Sequence, residues 1–172
     1  MKELILGGVR SGKSRLAEQH AIASGLEVVY IATATAEDDE MQQRIAHHRQ
    51  QRPSTWQVIE EPLKLATVLQ QQAAADRCLL VDCLTLWLTN LLLSDEVGML
   101  ARERDALIEQ LQDLPGHIIL VSNETGMGIV PQGELARRFG DEAGMLHQKL
   151  ARICDRVILT VAGLPQVLKG EL

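Results

Sequence analysis

Leu4-Ile5-Leu6-Gly7-Gly8-Val9-Arg10-Ser11-Gly12-Lys13-Ser14-Arg15-Leu16-Ala17 decides how the rest of the chain is read. Three apolar residues suited to a buried strand run into a glycine-rich turn, and the turn opens directly into a helical pattern. Gly7-x-x-x-x-Gly12-Lys13-Ser14 therefore matches the strand, G-x-x-x-x-G-K-[ST], helix pattern in letters and in context. Gly7, Gly8 and Gly12 let the backbone curl so that the N–H groups of the loop, including those of Val9, Arg10 and Ser11, point at phosphate oxygens. The helix start adds partial positive charge, Lys13 reaches the β and γ phosphates, and Ser14 supplies a hydroxyl for Mg²⁺.

Outward from that loop, apolar runs recur at Glu3–Leu6, Glu27–Ala32, Gln57–Ile59, Cys78–Val81, His117–Val121 and Arg156–Val161, mostly separated by helical stretches. This alternation predicts an α/β fold. The runs are nearly continuous rather than alternating, so the sheet is expected to be mostly parallel with helices on both faces. Gly25 ends the first helix, Leu114-Pro115-Gly116 turns into the fifth strand, and Gly163 with Pro165 predicts a short final hairpin through Gln166–Lys169. Two stripes at helical spacing are assigned to the core: Val97, Leu100, Ala101, Leu107, Ile108 and Leu111, then Leu135, Phe139, Leu146, Leu150 and Ile153.

With 172 residues, 46% hydrophobic and 23% charged, residues 1–172 suit a single globular domain. A formal charge of −6 speaks against a surface built to neutralise nucleic acid, so phosphate binding must be local. The opening residues lack the pattern of a signal peptide and no apolar run reaches the roughly 20 residues of a membrane span; a cytoplasmic location is expected. Cys78, Cys83 and Cys154 have no C-x-x-C spacing and read as buried free thiols.

A phosphate loop of this kind is usually partnered by an acid at the end of a buried strand, and Cys78-Leu79-Leu80-Val81-Asp82 provides one. Asp82 is the candidate second Mg²⁺ partner; alternatively it ends the strand and caps the helix that starts at Leu84 or Thr85. On the stretch that begins with Glu37, Asp38, Asp39 and Glu40, helical spacing puts Met41, Ile45 and His48 on one face and Glu40, Arg44, His47 and Gln51 on another. His47 thus lies on the polar side. A neutral imidazole can attack phosphorus, and a pKa of about 6.5 keeps it mostly neutral near pH 7. Spacing alone leaves His47 as either a solvated surface residue or a nucleophile.

Four stretches together resemble one family. They are the loop Gly7–Ser14; Tyr30-Ile31-Ala32-Thr33; Asp39-Glu40-Met41-Gln42-Gln43-Arg44-Ile45-Ala46-His47-His48; and Ser122-Asn123-Glu124-Thr125-Gly126-Met127-Gly128-Ile129-Val130-Pro131. The family is the bifunctional adenosylcobinamide kinase/adenosylcobinamide-phosphate guanylyltransferase of cobalamin biosynthesis, and the resemblance extends over nearly the whole chain. It implies a RecA-like P-loop NTPase fold and two reactions. A phosphoryl group passes from ATP or GTP to the hydroxyl of adenosylcobinamide, and GMP from GTP is then attached to that phosphate through a guanylylated histidine.

The same resemblance places the guanylylated position at His47, with guanine nucleotide contacts from Ala32, Thr33 and Ala34, from His48, Arg49, Gln50 and Gln51, and from Glu60 and Asp82. It also implies a homotrimer. Val9 stands where the family commonly carries Ala, and the adjacent pair Glu60 and Glu61 leaves open which of the two faces nucleotide. Glu124 either orients a ligand or belongs to a plain structural turn. Two other functions fit a phosphate loop: a kinase for another small molecule, and a GTP-controlled switch. The switch reading lacks its usual Asn-Lys-x-Asp signature, since the comparable strand end reads Ser122-Asn123-Glu124-Thr125.

Overall fold

A computed structural model describes residues 1–35 and 53–171. The expected strands form: β1 (Lys2–Gly7), β2 (Glu27–Ala32), β3 (Gln57–Glu60), β4 (Arg77–Asp82), β5 (His117–Asn123), β6 (Arg156–Val161) and β7 (Leu164–Lys169). They hydrogen-bond in one sheet in the order β3-β2-β4-β5-β1-β6-β7. Every pairing is parallel except β6 with β7, which is the expected antiparallel hairpin. The mostly parallel, RecA-like P-loop architecture predicted from the sequence is therefore the observed one. Pro165 lies inside β7 opposite Thr160 instead of in the turn, where Ala162 and Gly163 carry the positive φ. An edge strand tolerates the missing N–H.

The helices among the described residues are α1 (Lys13–Ala23), α2 (Leu65–Gln72), α3 (Leu84–Leu93), α4 (Met99–Leu111) and α5 (Glu134–Ile153). Side chains alternate across the pleat, and the core divides accordingly. Leu4, Leu6, Leu79, Val81, Ile118 and Leu120 face α2 to α5, packing around the fully buried Trp87. Ile5, Tyr30, Leu80, Ile119 and Val121 face Ala17 and Ala21 of α1. The two predicted core stripes hold only in part. Val97 is 95% exposed because it precedes α4, Ala101 points outward, and Leu135 is 52% exposed at the open start of α5. Spacing identifies a face, but not where the helix starts or how far along it the face is covered.

Cys78, Cys83 and Cys154 are free and buried as expected. Burial pushes the first two thiols to about 11 and the third to about 12. No helix among the described residues is long and apolar enough to cross a membrane.

Candidate active site

The phosphate loop leaves the carboxyl end of the central strand β1 and closes on itself. Ser11 N–H donates to Gly8 O at 3.2 Å, and Leu16 N–H donates to Gly12 O at 3.0 Å. Gly7 has no room for a side chain, because a Cβ would stand 2.4 Å from Ser11 Oγ and 2.7 Å from Thr160 O. Gly12 has φ +94° and a Cβ there would meet Gly163 Cα at 3.2 Å, so the β6–β7 turn sits against the loop. Gly163 N–H donates to Ser11 O at 2.8 Å.

No side chain caps the start of α1, so its first N–H groups stay available to an anion. Lys13 is buried and its Nζ donates to Gly8 O at 3.2 Å. Burial lowers the ammonium's pKa, and the nearby Asp82 charge opposes that shift. Val9 and Arg10 are exposed on the rim, Arg10 with φ 55°.

Asp82 ends β4 at the same sheet edge. The helix that follows is capped at Cys83, with no side-chain capping bond, so Asp82 does not serve as the cap. Tyr30 Oη donates to Asp82 Oδ2 at 3.0 Å, which fixes the carboxylate from the neighbouring strand. Thr33, fully buried, donates through Oγ1 to Cys83 O at 2.7 Å and accepts from Cys83 N–H at 2.9 Å. Asn90 Nδ2 donates to Thr33 O at 2.8 Å. Thr33 thus braces the β2 and β4 ends through its side chain, while Ala32 and Ala34 are partly exposed beside it.

Of the adjacent acids, Glu61 is engaged locally: its Oε1 accepts from Leu63 N–H at 2.9 Å and Lys64 N–H at 2.8 Å, ahead of α2. Glu60 is exposed at the end of β3, in register with Ala32. His47, His48, Arg49, Gln50 and Gln51 lie outside the described residues.

The sequence reading missed a second polar chain at this edge. His147, on α5, is buried with its Nε2 at 2.8 Å from Ser122 Oγ and its Nδ1 at 3.6 Å from Glu124 Oε2. Ser122 Oγ lies 3.4 Å from Thr85 Oγ1, which accepts from Asn123 N–H at 2.7 Å. Glu124 is tied down as well, its N–H donating to Gly7 O at 3.0 Å and its Oε1 accepting from Gly126 N–H at 2.5 Å. Burial pushes the His147 imidazole below its ordinary value, while Glu124 pulls the other way. The available signal was a histidine four positions after Ala143 and eight after Phe139, on the face of α5 that meets the sheet.

Beside this chain opens a cavity of about 640 Å³, walled by Thr85 and Thr89 of α3, by Ile129 and Pro131 of the loop after β5, and by Arg137 and Phe139 of α5. Met127, Ile129 and Val130 on that loop are strongly exposed.

The family model for cobinamide kinase/cobinamide phosphate guanyltransferase matches residues 3–168. The bifunctional adenosylcobalamin biosynthesis protein CobP of Pseudomonas aeruginosa is 66% identical over 171 residues, covering 99% of each chain. The corresponding protein CobU of Salmonella typhimurium is 41% identical, with 95% of this chain and 97% of the relative covered. Among solved structures, the flagellar accessory protein FlaH of Methanocaldococcus jannaschii superposes with TM-score 0.52 at 16% identity, covering 99% of this chain and 78% of that one, a likeness of fold alone. A phosphate loop, a facing acid on β4 and sequence similarity along nearly the full length agree, and the chain belongs to the cobinamide kinase/cobinamide phosphate guanyltransferase family.

Proposed function

We propose that this chain phosphorylates adenosylcobinamide with a nucleoside triphosphate and then transfers GMP from GTP to adenosylcobinamide phosphate, giving adenosylcobinamide-GDP and pyrophosphate. The support is the convergence at one sheet edge of the uncapped start of α1, the buried Lys13 and the Tyr30-held Asp82, within a chain that the family model matches over residues 3–168.

Gly7 to Ser14 cradle the phosphates, and Lys13 offsets charge that builds up on the β and γ groups during transfer. Ser14 and Asp82 are hard oxygen donors, and no group of three His, Cys, Asp or Glu side chains among the described residues is placed to cage a metal. That donor set fits Mg²⁺, which takes one or two protein oxygens and completes its shell with phosphates and water. When bound, Mg²⁺ neutralises developing phosphate charge. Ala32, Thr33, Ala34, His48, Arg49, Gln50, Gln51, Glu60 and Asp82 are proposed to line the guanine nucleotide; Glu61 is already committed ahead of α2.

His47 is the proposed nucleophile of the second reaction. Its nitrogen attacks the α phosphorus of GTP, the bond to the bridging oxygen breaks and pyrophosphate leaves. The phosphate of adenosylcobinamide phosphate then attacks the same phosphorus and frees the imidazole. Residues 1–172 act as one cytoplasmic catalytic domain, assembled as a homotrimer; light scattering that reports a monomer at assay concentration would remove the trimer.

Incubation with α-labelled GTP followed by denaturing electrophoresis tests the covalent step. Label is expected on the wild-type chain and absent from His47→Ala. An unlabelled wild type that turns over would leave a kinase with an inert His47.

A further inference from the structure

The kinase step has a requirement that the guanylyl transfer lacks. An alcohol that attacks phosphorus must lose its proton, whereas a phosphate acceptor already carries its nucleophilic oxygen ionised. The described phosphate loop offers Lys13, backbone N–H groups and the Ser11 and Ser14 hydroxyls, with Ser14 and the facing Asp82 assigned to Mg²⁺; none of these is a base reserved for the alcohol, so the proton needs an acceptor elsewhere.

We propose that Thr85, Ser122, His147 and Glu124 form a relay that takes this proton, with the cavity at Thr85 receiving the acceptor alcohol. This rests on the kinase reading above and extends it to residues that lie outside the nucleotide cradle.

The hydrogen-bond capacities close. Thr85 Oγ1 has two acceptor positions and one donor: Asn123 N–H fills one acceptor position at 2.7 Å, the entering alcohol fills the other, and the Thr85 hydroxyl points at Ser122 Oγ, 3.4 Å away. Ser122 in turn donates to His147 Nε2 at 2.8 Å, leaving Nδ1–H toward Glu124 Oε2 at 3.6 Å. Thr85 gives one hydrogen bond and accepts two; Ser122 gives one and accepts one.

Geometry gives the chain a direction. Ser122 and His147 are buried, Glu124 is partly buried, and Thr85 lines the cavity, so the relay has one mouth on the ligand side. That mouth is near the cradle: Asn123, whose N–H is held by Thr85, lies opposite Gly7 in the β1–β5 register, and Glu124 N–H donates to Gly7 O. Burial keeps the imidazole neutral and ready to accept, and Glu124 stabilises the imidazolium once it forms. Among the charged groups of the described residues, Glu124 is the one that acts on His147; Arg104 and Glu142, where α4 meets α5, are paired with each other at 2.8 Å.

In the reaction the alcohol oxygen bonds to the γ phosphorus, the β–γ bridging bond breaks, and its electron pair leaves with the nucleoside diphosphate. The alcohol proton moves to Thr85 Oγ1, the Thr85 proton to Ser122, and the Ser122 proton to His147 Nε2. His147 acts through Thr85 and Ser122 and does not touch substrate. Release of its proton to solvent after product departure resets the chain.

The decisive measurement compares the two half-reactions in the same variants: phosphorylation of adenosylcobinamide, and GMP transfer to separately supplied adenosylcobinamide phosphate. In His147→Gln the amide keeps a hydrogen-bonding group near the Nε2 position but cannot take a proton. Phosphorylation is expected to fall about 100-fold, with GMP transfer within about twofold of wild type. Thr85→Val should show the same split, and Thr85→Ser should restore phosphorylation.

Equal losses in both reactions, or no loss in either, would overturn the relay. Should His147→Gln fail to fold, the Thr85 pair decides alone: a Thr85→Val enzyme that phosphorylates normally removes the proposal. A wild-type enzyme that leaves adenosylcobinamide unphosphorylated would instead break the functional reading on which the relay stands.

Discussion

Two carboxylates face imidazoles at opposite ends of the same sheet, Glu3 near the amino end of β1 and Glu124 just past the carboxyl end of β5. Glu3 is fully buried and surrounded: His20 Nδ1 lies 2.6 Å from Oε1, Arg156 Nη1 3.6 Å from the same oxygen, and His117 Nε2 3.4 Å from Oε2, close enough to pair when protonated but outside hydrogen-bond geometry. Glu124 is partly exposed and faces one imidazole, at 3.6 Å, with a hydroxyl chain leading away to a cavity. The first carboxylate is held by several partners at once, and its geometry has little freedom. The second divides its oxygens between Gly126 N–H and one imidazole, and it has an outlet. A buried charge with several charged partners suits anchoring; one with a single imidazole partner and a path outward suits proton movement.

The largest expected effect separates the two ends by stability. Glu3→Ala leaves Arg156 and two imidazoles without their shared anion, at a cost of about 3–5 kcal/mol, read from the denaturant midpoint at an unchanged slope. Glu124→Gln should cost only about 1 kcal/mol, but it should slow phosphorylation about tenfold while sparing GMP transfer. If both variants lose similar stability and show no split between reactions, the distinction between the two ends fails.

Acid titration gives a finer separation. Burial raises the Glu3 pKa, but His117, His20 and Arg156 together overcome it and the net shift is downward. A depressed folded-state value means that the unfolded chain binds the proton first. Glu3 therefore contributes stability above its ordinary value of 4.5, and that contribution is lost as pH falls through the lower folded value. His147 is also depressed, from 6.5, so its contribution is present above 6.5 and is lost below it, at higher pH than the loss at Glu3. Stability plotted against pH should lose its upper acid step in His147→Gln and its lower one in Glu3→Gln. A single step that neither variant moves would show that other groups govern acid unfolding.

The smallest expected effect on function is at the β6–β7 turn. Gly163→Ala puts a side chain at φ +80°, costing about 1–2 kcal/mol, and is expected to weaken GTP binding several-fold in calorimetry through the lost register of the loop.

The fold was legible because most strands are apolar runs and several breaks carry a glycine or proline; Leu4-Ile5-Leu6 before Gly7 and Gly163 before β7 needed no tertiary information. The cradle was legible for the same reason, since its function is written in adjacent residues. The relay was not, because Thr85, Ser122, Glu124 and His147 meet only when α3, β5 with the loop after it, and α5 are assembled. A histidine among apolar residues at helical spacing has no partner visible along the chain. The pair Glu60 and Glu61 was equally ambiguous in sequence, and only the N–H groups of Leu63 and Lys64 show that Glu61 is engaged ahead of α2. Val97 and Leu135 were misread as core because periodicity does not say where a helix passes the edge of its sheet.

The Gly163 N–H bond to Ser11 O joins the phosphate loop to the hairpin at the edge of the sheet. Linkage makes that connection reciprocal: whatever a bound triphosphate adds to the stability of the loop, an ordered hairpin returns as tighter binding. The amide proton of Gly163 is accordingly a gauge of occupancy, and its exchange with deuterated water should slow when nucleotide fills a cradle that this residue does not itself line.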